Sequence, residues 1–230
     1  MKKRTIVISL GGSIIIPDKI NFPFLHQFKK TLRELYPKYK FVIVCGGGSV
    51  ARKYISALRE EGIKSNYLLS QAGIRATREN TMFMIQFFGK EANDSLPLDM
   101  KHVKANLQKN SLVICGALRY ADDSTSDETA AKLAKYLNSA FINMTNVPGL
   151  YTADPTKNKN AKLIPQISWI DFEKKALKLK YKAGQHFVLD QKAATLIKNY
   201  KIPTYILGPD LKQLKAVLNN KPFQGTLIEG

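Results

Sequence analysis

The chain has 230 residues, 44% of them hydrophobic and 23% charged, with 36 Lys and Arg against 18 Asp and Glu for a formal net charge of +18. This is the balance of an ordinary soluble globular protein, large enough for one α/β domain or two closely packed lobes. No apolar run approaches the roughly 20 residues that cross a bilayer. Met1-Lys2-Lys3-Arg4 leads into a short strand, not the long apolar stretch of a signal peptide, so a cytoplasmic protein with no membrane partner is expected.

In chain order, the strand-like runs are Thr5–Leu10, Lys40–Cys45, Ser111–Cys115, Ala140–Met144 and Pro203–Leu207, with a terminal Thr226–Ile228. Helix-like segments lie between them at Phe22–Tyr36, Val50–Glu61, Ile74–Phe88, Asp127–Leu137, Asp190–Tyr200 and Leu211–Leu218. Val- and Ile-rich strands alternating with helices predict a mostly parallel sheet covered on both faces, an α/β fold. The stretch from Tyr151 to Lys182 is polar and rich in Lys and Asn. It reads as connections around one short helix, Trp169–Leu177, and not as a separate domain.

Two of the strands end in glycine turns. Thr5–Ile8 leads to Leu10-Gly11-Gly12-Ser13, and Phe41–Val44 leads to Cys45-Gly46-Gly47-Gly48-Ser49, followed by a helix carrying Arg52 and Lys53. Glycine lets backbone N–H groups approach a ligand closely, and a helix N-terminus with basic side chains favours an anion. Two such turns suit a site holding more than one phosphate group. In parallel α/β sheets ligands sit beyond the C-terminal strand ends, where both glycine turns, Gly116 and the Thr145-Asn146 turn all fall. There is no GxxxxGK[ST], no spaced GxGxxG with an acidic partner, and no protein-kinase HRD or DFG set, so the phosphates are held in some other way.

Cys45 and Cys115 each end a strand-like run. Buried reduced thiols are the favoured reading and a disulfide the alternative. There is no CxxC or Cys/His cluster for zinc, and no protein metal-ligand set is assigned. His26 and His102 read as surface or packing residues. The positive charge is spread over Lys29-Lys30, Lys101 to Lys109, Lys157 to Lys162 and Lys174 to Lys182. A polyanionic partner is one reading. General lysine enrichment is favoured, because no nucleic-acid-binding motif accompanies the charge.

Six ordered motifs then resemble the amino acid kinase superfamily, and most closely its archaeal-type uridylate (UMP) kinase branch. They are Ser9-Leu10-Gly11-Gly12-Ser13, the run Gly46-Gly47-Gly48-Ser49-Val50-Ala51-Arg52-Lys53-Tyr54, and Gly73-Ile74-Arg75-Ala76-Thr77-Arg78-Glu79-Asn80. Thr125-Ser126-Asp127-Glu128-Thr129-Ala130-Ala131, Thr145 through Pro155, and Ala183-Gly184 with Asp190 and Ala193-Ala194 complete the set. The resemblance spans nearly the whole chain. It implies a three-layer αβα sandwich forming a single amino acid kinase-like domain over 1–230, with an acceptor-binding lobe at about 1–138 and an ATP-binding lobe at about 139–230.

The implied reaction moves the γ-phosphoryl group of ATP, with Mg²⁺, to an acceptor phosphate. Small-molecule nucleotides are the implied partners, and a homo-oligomer, a hexamer built from dimers, is the implied assembly. Backbone N–H groups at Gly11, Gly12, Gly47 and Gly48 would line the transferring group. Gly46, Gly47, Gly48, Arg52, Arg78, Thr125 and Asp127 would hold the acceptor, although Asp127 reads equally as a helix cap. Gly11, Gly12, Ser13, Thr145, Asn146, Tyr151 and Asp154 would face ATP. Lys157 would reach its phosphates or stay a solvated loop lysine, and Asp190 would organise the glycine loops or cap the next helix.

Some positions depart from the family pattern. Ser9 stands where many members carry a lysine, Pro148 replaces an aspartate, and the acceptor loop Gly116 to Ser124 lacks the second glycine and Pro-Gly element while adding Asp122 and Asp123. Two alternatives follow. One is another phosphorylated acceptor such as isopentenyl phosphate, weakened by Cys45 where that branch has a histidine nearby. The other is a catalytically weakened nucleotide- or RNA-binding regulator.

Overall fold

The computed structural model describes residues 3–118, 125–155, 157–178 and 188–230. The first half runs β1 (Arg4–Leu10), α1 (Gly12–Ile15), α2 (Phe22–Leu35), β2 (Tyr39–Cys45), α3 (Gly48–Glu60) and α4 (Asn66–Phe88). A turn of 3₁₀ helix, Gly89–Glu91, then leads to α5 (Met100–Lys109) and β3 (Leu112–Cys115). The second half runs α6 (Ser126–Leu137), β4 (Ala140–Met144), β5 (Gln166–Ile167), α7 (Trp169–Leu177), α8 (Gln191–Asn199), β6 (Thr204–Leu207), α9 (Leu211–Leu218) and β7 (Thr226–Ile228).

The strands form one sheet in the order β3-β2-β1-β4-β6-β7-β5, parallel throughout except where β6 meets β7. The period-2 alternation of side chains builds its two cores. Ile6, Ile8, Leu10, Phe41, Ile43, Leu112, Ile114, Ile142 and Met144 pack on one side, against Phe28 and Leu32 of α2, Met84 and Phe88 of α4, and Leu214 of α9. Val7, Val42, Val44, Val113 and Phe141 face the other side, against Val103 of α5, Leu133 of α6, Phe172 of α7 and Ile197 of α8. With both faces covered, the central strands can be apolar at nearly every position, as the sequence predicts.

The helices start where the sequence offers a cap. Asn21, Ser65, Asp99, Thr125, Ser168 and Asp190 each accept a backbone N–H of the first turn. Capping by Thr125 removes the alternative role of Asp127 as cap of α6. α4 starts eight residues earlier than the predicted Ile74, because Gly73 sits in ordinary helical backbone and does not break it. α5 lies in the lysine-rich stretch that carried no predicted element, anchored by only two buried residues, Val103 and Leu107.

Cys45 belongs to one core and Cys115 to the other, so the sheet separates the two thiols. Both are free and buried, and burial pushes the Cys45 thiol up to about 12 and the Cys115 thiol higher still. Among the described residues no helix is long and apolar enough to cross a membrane.

Candidate active site

Because β3, β2, β1 and β4 are parallel neighbours, their C-terminal ends share one edge of the sheet. The register pairs Leu10 with both Cys45 and Met144, which sets the turn after β1 between those after β2 and β4. Gly46 N–H donates to the Leu10 carbonyl at 2.9 Å, Gly11 N–H to the Met144 carbonyl at 3.0 Å, and Thr145 N–H to the Leu207 carbonyl at 2.9 Å. The ladder therefore continues one residue into each loop. This corrects two expectations: the Gly11 and Gly46 N–H groups are committed to the sheet and are not free phosphate donors.

The two glycine turns touch backbone to backbone. A Cβ on Gly12 would lie 2.3 Å from Gly48 N and 2.5 Å from the Gly46 carbonyl oxygen, distances no side chain tolerates. Gly48 also holds φ at +56°, in the left-handed region that glycine enters without cost. Ser49 Oγ ties the loops together from the side, donating to the Ile16 carbonyl at 2.7 Å. The N–H groups of Gly12, Gly47 and Gly48 have no acceptor among the described residues. They lie at the N-termini of α1 and α3, where helix dipoles add positive potential.

α4 runs beneath these loops. Asn80 Nδ2 donates to the Gly46 carbonyl at 2.7 Å. Thr77 Oγ1 accepts the Ala117 N–H at 3.1 Å, and Arg78 Nε donates to the Ala117 carbonyl at 3.2 Å. Arg78 is half-buried with its guanidinium against the start of the acceptor loop, whereas Arg52 stands exposed on α3. Neither the Asn80 nor the Thr77 contact follows from sequence, although both residues lie inside a recognised motif.

Behind the β1 turn sits a small polar cluster. Ser9 is fully buried and donates to Asp127 Oδ1 at 2.8 Å. Asp190 Oδ1 accepts the Ala193 N–H at 2.9 Å as cap of α8, and Oδ2 accepts the Thr125 hydroxyl. Asp190 thus caps its helix and also binds the start of α6. Burial, with the nearby Asp190 carboxylate adding to it, raises the Asp127 carboxyl to about 7 despite the hydrogen bond from Ser9. A lysine at position 9 would counter these acids, and serine leaves the pair without that charge.

On the β4 side, Thr145 Oγ1 lies 3.3 Å from Asn146 Oδ1, and Ser13 is half-buried beside Gly11. Tyr151 forms a bridge to Leu163, and Asp154 lies in the exposed turn that follows. Lys157 is 84% exposed, with its ammonium 3.8 Å from Asp154, which is the solvated-loop reading of that residue. Arg119, Tyr120, Asp122, Asp123, Ala183 and Gly184 lie outside the described residues. A cleft of about 550 Å³ also opens at the opposite end of the strands, beside Lys3, Arg4, Ser139 and Tyr205, but none of the six motifs reaches it.

Residues 4–208 match the profile of the Amino acid kinase family. The chain belongs to the amino acid kinase family. It is 34% identical over 226 residues to the uridylate kinase of Thermococcus kodakarensis, covering 97% of this chain and 99% of that one. It is also 34% identical over 228 residues to the uridylate kinase of Thermoplasma volcanium, covering 98% of each. Among solved structures, the uridylate kinase of Archaeoglobus fulgidus superposes with a TM-score of 0.83 at 30% identity, covering 97% of this chain and 99% of that one. The UMP kinase of Ureaplasma parvum shares the amino acid kinase fold, with a TM-score of 0.81 at 22% identity over the full length of both chains.

Proposed function

We propose that this chain is a nucleoside monophosphate kinase that transfers the γ-phosphoryl group of ATP to UMP, giving UDP. The observation that carries the reading is the meeting of the two glycine loops. Three N–H groups without an acceptor among the described residues, on Gly12, Gly47 and Gly48, sit at one edge of the sheet in a chain similar over nearly its whole length to uridylate kinases. Phosphoryl transfer requires alignment and charge neutralisation more than a covalent nucleophile, and fixed N–H donors supply both.

In this reading Gly47, Gly48 and Arg52 hold the acceptor phosphate, while Gly46, its N–H and carbonyl both taken, shapes the turn. Arg78 offers its terminal nitrogens, its Nε being used on Ala117. Thr125 and Asp127 lie on the acceptor side at the start of α6. Gly12, Ser13, Thr145, Asn146, Tyr151 and Asp154 face ATP, and Gly11 shapes its turn without donating. Asp190 fixes the junction of α6 and α8 behind the loops. Mg²⁺ would neutralise charge on the nucleotide phosphates. That ion would be carried mainly by the phosphates, with Asp127 and Asp190 as the paired carboxylates at hand. The protein would be one domain, with acceptor and ATP lobes dividing near residue 138, acting in the cytoplasm as a homo-oligomer.

The test is a coupled ADP-release assay with ATP and Mg²⁺ against UMP, CMP, dUMP, AMP, GMP and isopentenyl phosphate. The expected result is a kcat/KM for UMP at least about tenfold above every other acceptor, a gap of about 1.4 kcal/mol. A different preferred acceptor, or no turnover of any, would overturn the assignment.

A further inference from the structure

Asn80 is an uncharged residue 34 positions from the glycine loop in sequence, yet it spends its amide there. It is 2% exposed on the inward face of α4, and Nδ2 donates to the carbonyls of both Gly46 at 2.7 Å and Gly47 at 3.4 Å. In a planar trans peptide the carbonyl and the N–H of one unit point in opposite directions. Drawing the Gly46 carbonyl toward α4 therefore turns the Gly47 N–H away from it, and drawing in the Gly47 carbonyl does the same for the Gly48 N–H. These two N–H groups have no acceptor among the described residues.

The neighbouring turn of α4 does the same for the next loop. Thr77 accepts the Ala117 N–H and Arg78 donates to the Ala117 carbonyl, at 3.1 and 3.2 Å. Thr81 Oγ1 donates to the Thr77 carbonyl at 2.8 Å, one turn back along the helix. One short stretch of one helix thus grips the backbone after β2 and after β3.

We infer that Asn80 is a positioning residue for phosphoryl transfer. It fixes the direction in which the Gly47 and Gly48 N–H groups point, and through the rigid α4 it holds the phosphate loop in register with the start of the acceptor loop. This rests on the reading that the Gly47 and Gly48 N–H groups hold phosphate. A merely structural asparagine would satisfy the same carbonyls, so the test must separate the two roles.

Wild type, N80A and the isosteric N80D are compared with UMP and ATP·Mg²⁺ across pH, with melting temperatures measured alongside. An ångström of misplacement in a reacting site costs about a hundredfold in rate, so N80A should lose about that much in kcat while KM for both substrates stays within about threefold. The ionised side chain of N80D opposes two carbonyl oxygens, and the protonated side chain donates to one. Burial raises the carboxyl of such an aspartate. The N80D to wild-type kcat ratio should therefore climb at least about tenfold between about pH 8 and about pH 6.

Taking the ratio cancels the titration of Asp127, which both proteins share. Titratable and charged groups on the elements packed around position 80 include the Cys45 and Cys115 thiols, both raised by burial, Arg78 and Glu79 on α4, and Arg52 and Lys53 on α3, all of them common to both proteins. A kcat for N80A within about threefold of wild type would overturn the inference. So would a folded N80D whose ratio stays flat with pH, whatever its melting temperature. Absence of UMP turnover in wild type would sink the parent reading and this one with it, whereas normal wild-type turnover with indifferent variants would sink this one alone.

Discussion

Gly12→Ala is expected to remove nearly all turnover and to lower the melting temperature by roughly 2–12 °C. The added methyl would meet Gly48 N at 2.3 Å, the Gly46 carbonyl oxygen at 2.5 Å and Gly48 Cα at 2.6 Å. All three are backbone atoms, pinned by the Gly46 N–H bond to Leu10, by the Ser49 bond to Ile16 and by Asn80. No side chain can swing aside, so the two loops must separate by about an ångström. Overpacking of a rigid interior costs about 1–3 kcal/mol, worth roughly 2–4 °C per kcal/mol in a chain of this size. The kinetic loss is larger, about a hundredfold or more, because the displaced groups are the donors themselves. Gly73→Ala calibrates the stability measurement. Its nearest neighbour would be Ile55 Cδ1 at 3.7 Å within ordinary helix, so a gain of up to about 1 kcal/mol is expected. Circular-dichroism melts of both variants, with steady-state kinetics of the Gly12 variant, check these outcomes. A Gly12→Ala protein with near-native kcat would mean that the loops are not in contact.

Asp127→Asn is expected to flatten part of the pH dependence of stability. The native Asp127 carboxyl is raised to about 7 from an ordinary value of 3.8, by burial first and by Asp190 second. Between those two values the native state keeps a proton that the unfolded chain has released. Its contribution is therefore fully present below about pH 4, declines as pH rises and is gone above about pH 7. Asparagine cannot ionise, so relative to wild type the variant gains stability across this window, by on the order of 2–4 kcal/mol. Carboxylates remote from this pair titrate in both proteins and drop out, so the difference belongs to Asp127 and Asp190 together. Urea unfolding of both at about pH 4.5 and about pH 8 reads it directly, and a difference independent of pH would show that Asp127 is already ionised in the native state. The same argument gives a physical meaning to Ser9. It can hydrogen-bond Asp127 but cannot offset its charge, so the cluster relieves itself by holding a proton.

Both results concern contacts that differ in how legible they were. The glycine loops could be read because each is a local pattern, an apolar run ending in consecutive glycines, and strand-end geometry then brings them together without further information. The central strands were legible for the same reason, since burial on both faces writes itself as continuous Val and Ile. α5 is not, because two buried residues among lysines give no clear period, and α4 extends N-terminal to the predicted Ile74 through Gly73, whose backbone is ordinary helix. The pairing of Ser9 with Asp127 spans 118 positions, and that of Asn80 with Gly46 spans 34. Such side-chain partners are chosen by packing of helices on the sheet, which no local signal encodes. The Gly11 N–H differs from expectation on related grounds. A glycine in a phosphate-loop pattern looks like a free donor, and only the register with β4 shows that the sheet claims it.

The most direct measurement is a crystal structure with UMP and a non-hydrolysable ATP analogue bound together with Mg²⁺. The UMP phosphate is expected within hydrogen-bond distance of the Gly47 and Gly48 N–H groups and of the Arg52 or Arg78 guanidinium, with the γ-phosphate of the analogue against Gly12. The two phosphates should face each other across the junction of the glycine loops. UMP bound elsewhere, or a γ-phosphate remote from Gly12 and Gly48, would contradict the placement of phosphoryl transfer at this junction.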